Sequence, residues 1–336
     1  MRESDTLMNA LNRVLRSVDG VRNTRALGVL LGTFASAGLL VAMAEASSAR
    51  ADTWWGPLQA MLALLMAFYG GNAAGILVMD DARGGPVRDI GAALRASLTT
   101  AHRLLLALAV VLGVVGVAAG AVLGLLWLSR AAVTGHVLGP LLFGLAVPAG
   151  VLTVGLGALA LVAVVVPLAA PGVWSGASVW QIVTRLAVLV RHRLLTVALL
   201  MAAVSLLTAG MGAVATFVVM VGGRVIAQLA VGVVDVLGVS GLNLVSDVDA
   251  PAQQLMAGLF GYGLRSVGAI GATGVPAIAS AHVAAALVGG GVVFALALVL
   301  PGLVYLRGTC AVYLAMNDEL RAAADPGPDH DAAALR

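Results

Sequence analysis

The stretch that decides the fold is HRLLLALAVVLGVVGVAAGAVLGLLWL, residues 102–128. From residue 104 onward it carries no charged side chain, and a helix needs only about 20 apolar residues to cross the hydrocarbon of a bilayer. The whole chain shares this character, because 61% of its residues are hydrophobic and 10% are charged, whereas soluble domains carry about 25% charged residues. A water-soluble core cannot bury this much apolar surface, so we predict an integral membrane protein.

Five other stretches are similarly long and apolar, and together they predict an all-α, polytopic membrane helix bundle. The six predicted spans are residues 25–44, 55–79, 104–128, 137–168, 194–221 and 282–306. All 19 basic residues are arginine. In this topology fifteen of them lie on the same side of the membrane as the N-terminus, and four lie on the opposite side. Because cytoplasmic loops carry such an excess of positive charge, both termini are predicted to be cytoplasmic. As an alternative for the first span, residues 25–52 resemble a secretory signal peptide with an Ala-x-Ala cleavage site.

The motif HRLL occurs twice, at residues 102–105 and again 90 residues later at 192–195. The match extends at the same offset to three further pairs, namely Arg95 with Arg185, Val114 with Val204, and 119–120 with 209–210. Both copies enter the membrane from the same predicted side. The match is either a coincidence or the mark of a parallel internal repeat, and the pattern predicts the repeat. Its two copies would be related by an axis along the membrane normal.

Short amphipathic helices are predicted on the cytoplasmic side before each copy and at the N-terminus. Apolar residues recur with helical spacing at Val87, Ile90, Leu94, Leu98 and Ala101, and again at Leu7, Met8, Leu11, Val14, Leu15 and Val18. Pro86 suits a first helical position. Such helices lie in the headgroup plane with the apolar face toward lipid. A single membrane domain, 1–320, would then consist of units at about 1–80, 81–170 and 171–320, with a disordered tail at 321–336.

His102 and His192 are candidate functional residues because they open the two copies of the motif. As a functional pair they would be ligands or proton carriers. As structural residues they would be amphipathic rings at the interface, where the helix bends into the span. We favour the structural interpretation, because a metal site needs more than two histidines and the nearby aspartates have no ligand spacing.

These segments resemble the membrane domain attached to some bacterial glycerophosphoryl diester phosphodiesterases. ALRASLTTAHRLLLALAVVL (93–112) and IVTRLAVLVRHRLLTVALLM (182–201) carry the likeness, each an Ala/Leu/Arg amphipathic turn that runs into a span. The resemblance implies a six-span protein of the bacterial cytoplasmic (inner) membrane. No catalytic residue of the phosphodiesterase can be matched to a position of this chain.

Two polar residues in apolar surroundings are further candidates for function. Asn72, in FYGGNAAG, either lines a polar path or seals a helix contact, and the Gly71-x-x-x-Gly75 spacing favours the contact. Asp235 lies in the apolar segment 222–281, which is predicted to be extracytoplasmic or re-entrant. If residues 225–245 span the membrane instead, Asp235 lies in mid-bilayer and the chain has eight spans.

Motifs for enzymatic chemistry are absent from the sequence, including the P-loop, HExxH and GxSxG. The single cysteine, Cys310, excludes an intramolecular disulfide and a cysteine zinc site. We therefore expect no catalysis, cofactor, metal or nucleic-acid partner. The expected function is that of a scaffold or partner subunit, in contact with the lipid bilayer and with other membrane proteins or copies of itself. The alternative is a transporter or channel for a small neutral or lipid-like solute.

Overall fold

The computed structural model describes residues 2–49, 54–130, 135–236 and 277–324, and within these ranges every regular element is a helix. In chain order the elements are α1 (Arg2–Leu15), a 3-10 helix (Arg16–Arg22), α2 (Thr24–Ala49), α3 (Trp55–Ala82), α4 (Ile90–Arg130), α5 (Gly135–Ala160), a π-helical turn (Leu161–Val165), α6 (Val166–Trp174), α7 (Val179–Val236) and α8 (Ala277–Ala324).

Six helical segments in the described part of the chain are long and apolar enough to cross a membrane. They are Thr24–Val41, Trp55–Ala82, Ile90–Ser129, Leu138–Trp174, Val179–Val219 and Ala295–Asp318. The predicted class, an all-helical multi-pass membrane protein with six spans, is confirmed at this level. The last apolar segment, Ala295–Asp318, overlaps the predicted 282–306, and α8 covers both ranges.

The start of α4 differs from prediction, because residues 86–89 are not helical and the helix begins at Ile90. The carboxylate of Asp80 accepts a hydrogen bond from the backbone N–H of Arg88 at 3.4 Å and pairs with the Arg88 side chain at 3.0 Å. These contacts hold the segment in a non-helical path. Asp89 becomes the residue before the helix, and its carbonyl accepts the N–H of Ala93 at 2.9 Å.

The two helices that carry HRLL are far longer than one span, with 41 residues in α4 and 58 in α7. The helix α4 continues through His102, so the predicted interfacial helix and the span form one helix there. In α7 the backbone of Arg193 is non-helical, with φ −135° and ψ 20°, so a kink follows His192. Only the second copy therefore has the predicted bend.

The apolar segment 222–281 is partly helical, because α7 extends to Val236 and α8 begins at Ala277. The first part of the segment thus continues the fifth span rather than forming a separate helix. Residues 237–276, with the rest of this prediction, lie outside the described residues. The predicted tail also begins later than residue 321, because α8 runs to Ala324; residues 325–336 lie outside the described residues too.

A π-helical turn joins α5 to α6 and keeps the fourth span helical through a proline. The N–H of Val166 bonds to the carbonyl of Leu161, five residues back. Pro167 follows at once and has no N–H to give to the helix ladder. The wider turn accommodates this lost donor, so α6 continues to Trp174.

The chain divides into two compact units. The first comprises residues 1–20, 75–207 and 305–336. Its core contains side chains from α1, α3, α6, α7 and α8, and those with 2% exposure or less include Val14, Leu77, Leu168, Leu200 and Met316. Close packing in this unit depends on Gly75 of α3, where a Cβ would overlap the buried ring of Trp174.

The second unit comprises residues 21–74 and 208–304. The helix α2 begins behind Asn23, whose side-chain oxygen accepts the N–H of Ala26 at 3.0 Å. A Cβ on Gly70 would overlap Thr33, so α2 and α3 approach closely there. Nearer the other end of these helices, Ser47 donates to Gln59 at 3.0 Å.

Candidate functional site

A polar pocket lies in the first unit where four apolar segments end or begin. The segments on α3 and α6 end at Ala82 and Trp174, and the one on α7 begins at Val179. The segment on α8 ends at Asp318. All four change from apolar to polar residues here, which is the pattern expected at the boundary between hydrocarbon and headgroups.

The turn between α6 and α7 forms one wall of the pocket and is held by caps on both helices. Gly176 has φ +86°, a conformation that favours glycine. The N–H groups of Gly176 and Ala177 bond to the carbonyls of Val173 and Gly172 at 2.9 and 3.2 Å, which closes a Schellman motif.

The next helix begins with a capping box. The N–H of Gln181 bonds to Ser178 Oγ at 3.4 Å, and the Ser178 N–H bonds to Gln181 Oε1 at 3.0 Å. The sequence SVWQ carries this S-x-x-Q signal. Together the two caps fix the position of the α6–α7 turn.

A hydrogen-bonded chain crosses the pocket from α7 to α8 and back to α6. Arg185 Nη1 donates to Tyr313 Oη at 3.0 Å, and Tyr313 Oη lies 3.2 Å from Ser175 Oγ. Ser175 Oγ donates to the carbonyl of Gly172 at 2.7 Å. Because the serine proton is used in that bond, the Tyr313 hydroxyl must donate to Ser175. Both hydroxyl protons in this series of hydrogen bonds, on Tyr313 and Ser175, therefore have an acceptor.

Two aspartates at the end of α3 each form an ion pair with one arginine. Two further arginines at this end, Arg83 and Arg185, have no carboxylate partner among the described residues. Asp80, which is buried, pairs with Arg88, and Asp81 pairs with Arg307 of α8. Arg83 Nη2 donates to the backbone carbonyl of Ser175 at 3.3 Å. Among the described residues, no carboxylate lies within ion-pair distance of Arg83 or Arg185.

The cavity between these groups has a volume of about 190 Å³. Its polar lining consists of Arg83, Ser175, Gln181, Arg185, Tyr313 and Asn317. Both charged members are cations, so the described walls carry an uncompensated positive charge. Within the described part of the chain, no group of three or more His, Cys, Asp or Glu could hold a metal ion.

Three of the candidate functional residues from the sequence, Asn72, His102 and His192, are not among the described lining residues of this pocket. Asn72 is buried, and its amide donates to the carbonyl of Phe68 in its own helix at 2.8 Å. His102 and His192 are exposed on α4 and α7. Asp235 lies on the last turn of α7, and its side chain falls outside the described residues. Among the described contacts, no hydrogen bond or ion pair joins His102 to His192, and the roles of these histidines and of Asn72 stay predictions.

The pocket residues were missed in the sequence for identifiable reasons. Arg83 and Arg185 were interpreted as markers of topology. Tyr313 and Asn317 lie beyond the predicted end of the sixth span, yet they are four residues apart and so share one face of α8. A polar pair at this spacing close to a span, together with S-x-x-Q, is the signal that could have identified the site.

No family model, curated protein or solved structure matches this chain. The resemblance to the phosphodiesterase-associated membrane domain therefore stays a prediction. The class that fold and composition define is a multi-pass, all-helical membrane protein.

The two copies of HRLL have the same exposure pattern. In each copy the histidine is exposed, the arginine and the first leucine are half-buried, and the second leucine is exposed. Five residues after the histidine, Ala107 and Val197 are buried. This exposure fits amphipathic rings at an interface, and the structural interpretation of the motif stays a prediction.

We predict that the double variant His102→Tyr, His192→Tyr keeps the thermal stability of the parent in detergent. Tyrosine supplies an apolar ring with a polar tip, which suits an exposed position at a membrane interface. As matched controls, Ala107→Tyr and Val197→Tyr place the same ring at buried positions and should lower Tm clearly. A double histidine variant as unstable as the controls would contradict the structural role.

Proposed function

We propose that the protein is a non-catalytic component of the bacterial cytoplasmic (inner) membrane, a scaffold or partner subunit of a membrane complex. The observation that carries this proposal is the use of the charged groups at the arginine-rich end. Asp81 joins α3 to α8 through Arg307, and Asp318 joins α8 to α1 through Arg13 at 2.9 Å. The half-buried pair of Asp81 and Arg307 fastens α3 to α8, as a rigid scaffold requires, whereas the exposed pair of Asp318 and Arg13 contributes little to stability.

The α4–α5 hairpin supports the same proposal through its apolar surface. Within an 18-residue apolar window of the segment Ile90–Ser129, only 6% of the residues are buried inside the protein. Glycines 116, 120 and 124 of α4 have open space where a Cβ would be. We propose that this hairpin contacts lipid hydrocarbon and the helices of a partner protein or of a second copy.

In the proposed orientation both termini and the arginine-rich pocket are on the cytoplasmic side of the membrane. Cys310 is fully buried, so Cys310→Ala provides a background without a reactive thiol. On this background a cysteine at the exposed Thr99 is expected to react only with membrane-permeant maleimide. A cysteine at the exposed Trp54 should react with the impermeant reagent in intact cells. The reverse pattern at either position would contradict the orientation.

The scaffold function is tested by stoichiometry and by flux. Native mass spectrometry of the complex extracted in mild detergent should show a membrane partner, or further copies of the chain, at a fixed ratio. The purified protein in liposomes should not increase the permeability to small neutral solutes. A saturable solute flux from the chain alone would favour the alternative, a transporter or channel, for which a hydrated cavity that reaches Asn72 or Asp235 is expected.

A further inference from the structure

The free hydrogen-bonding groups of the pocket are dominated by donors. A guanidinium has five N–H donors and no acceptor, and the described contacts occupy one N–H of Arg83 and one of Arg185. The Oε1 atom of Gln181 already accepts the Ser178 N–H, so the amide nitrogen is the free group of that side chain. The pocket therefore offers many N–H groups to a ligand that has only acceptors.

Charge selects the same kind of ligand. Two arginines line about 190 Å³ of space, and none of the described lining residues is acidic. A cation would be repelled, and a neutral solute would leave both guanidinium charges uncompensated. An oxyanion would accept hydrogen bonds from the free N–H donors and would also neutralise the positive charge of the arginines.

The location of the pocket narrows the class of anion. It lies where the four apolar segments give way to polar residues, which is the depth of lipid headgroups in a bilayer. Trp180, on the first turn of α7, is 71% exposed, as is usual for tryptophan at a membrane interface. Basic pockets between transmembrane helices at this depth bind phosphate headgroups.

We propose that Arg83 and Arg185 form a binding site for a phosphate group, with Gln181 and Asn317 as additional donors. Planar guanidinium groups bind phosphate oxygens in a two-pronged manner and remain charged at all physiological pH values. The Tyr313 hydroxyl positions Arg185 by accepting one of its N–H groups. The phosphate belongs either to an anionic lipid or to a soluble phosphorylated compound, and the site is independent of whether the protein acts as a scaffold or a transporter.

The test uses the full-length protein and two kinds of probe. In the lipid arm, the protein is placed in phosphatidylcholine nanodiscs with or without phosphatidylglycerol, and bound lipid is counted by native mass spectrometry after gentle release. In the soluble arm, inorganic phosphate and glycerol 3-phosphate are titrated against the thermal stability of the detergent-solubilised protein, because a ligand that binds the folded state raises Tm.

The variants are Arg83→Gln, Arg185→Gln and their combination. Each single change should weaken binding about tenfold, since each removes charge-assisted hydrogen bonds to the phosphate. Arg95→Gln is the matched control, because Arg95 is the counterpart of Arg185 at the offset of 90 residues and does not line the pocket. Because Arg185→Gln also loses the bond to Tyr313, the exposed Arg83 provides a second variant with little expected effect on folding.

The two arms distinguish the source of the phosphate. Retention of phosphatidylglycerol that the double variant loses, without a response to soluble phosphate, identifies a lipid headgroup as the ligand. A Tm increase by glycerol 3-phosphate or inorganic phosphate that the double variant loses, without selective lipid retention, identifies a soluble phosphate compound. If the double variant and Arg95→Gln behave like the parent in both arms, or if the parent binds neither probe, the site assignment is wrong.

Discussion

Gly75→Ala is expected to destabilise the protein by about 1–3 kcal/mol, the usual cost of overpacking a closed interior. A Cβ at this position of α3 would overlap the six-membered ring of Trp174. Trp174 is 6% exposed and ends α6, so its ring has little space to move. The helix-propensity gain of about 1 kcal/mol from replacing glycine by alanine offsets only part of this cost. Thermal unfolding in detergent should show a clearly lower Tm.

Gly71→Ala is the matched control, one turn earlier on the same helix. A Cβ at Gly71 would meet nothing within 4 Å, so this variant should be as stable as the parent or slightly more stable. A double-mutant cycle with Trp174→Phe identifies the partner, because the smaller ring should reduce the cost of Gly75→Ala. Equal effects of Gly75→Ala and Gly71→Ala would show that the contact does not constrain the protein.

The small-residue spacing in the sequence predicted helix contacts but could not show which glycines make them. Gly75 packs tightly, whereas Gly71 of the same motif is open, as are Gly28 and Gly32, which have the same four-residue spacing in α2. The reason is physical: spacing places small residues on one face of a helix, and the rest of the chain determines whether another helix covers that face. Sequence periodicity contains no information about this second condition.

Span positions were predicted well because they depend on the composition of a single stretch. An apolar run must avoid water wherever it lies, and a helix is its simplest way to satisfy the backbone in lipid. Helix ends were predicted less well, since a helix can continue past its apolar run. The fifth span was predicted to end at 221 but its helix runs to Val236, and α8 continues past the predicted 306 to Ala324.

The candidate site could not be predicted because it depends on pairings between distant residues. Each arginine at this end has the same appearance in the sequence. Asp80 pairs with Arg88 and Asp81 with Arg307, and these choices determine which arginines remain for a ligand. Asp81 and Arg307 are separated by 226 positions. The contact of Asp80 with Arg88, eight positions along the chain, explains why α4 begins at Ile90 instead of at Pro86.

The ion pair between Asp81 and Arg307 leads to the second large expected effect. The two side chains are 31% and 21% exposed, so each charge is largely removed from water. Asp81→Asn leaves Arg307 without its counter-charge, and Arg307→Gln leaves Asp81 without one. Breaking a fully buried pair costs about 3–5 kcal/mol, and because this pair retains some solvent we expect each single variant to lose about 1–3 kcal/mol.

The double variant Asp81→Asn, Arg307→Gln should recover much of the lost stability. With both charges removed, no unpaired charge remains at the membrane boundary, and the two amides can still form a hydrogen bond. As the matched control, Asp318→Asn breaks the exposed pair with Arg13, whose side chains are 57% and 53% exposed, and should barely change Tm. Thermal unfolding of the four variants gives the coupling directly. If the losses at Asp81 and Arg307 simply add, the pair does not fasten α3 to α8, and the scaffold proposed for this end of the protein loses its main connection.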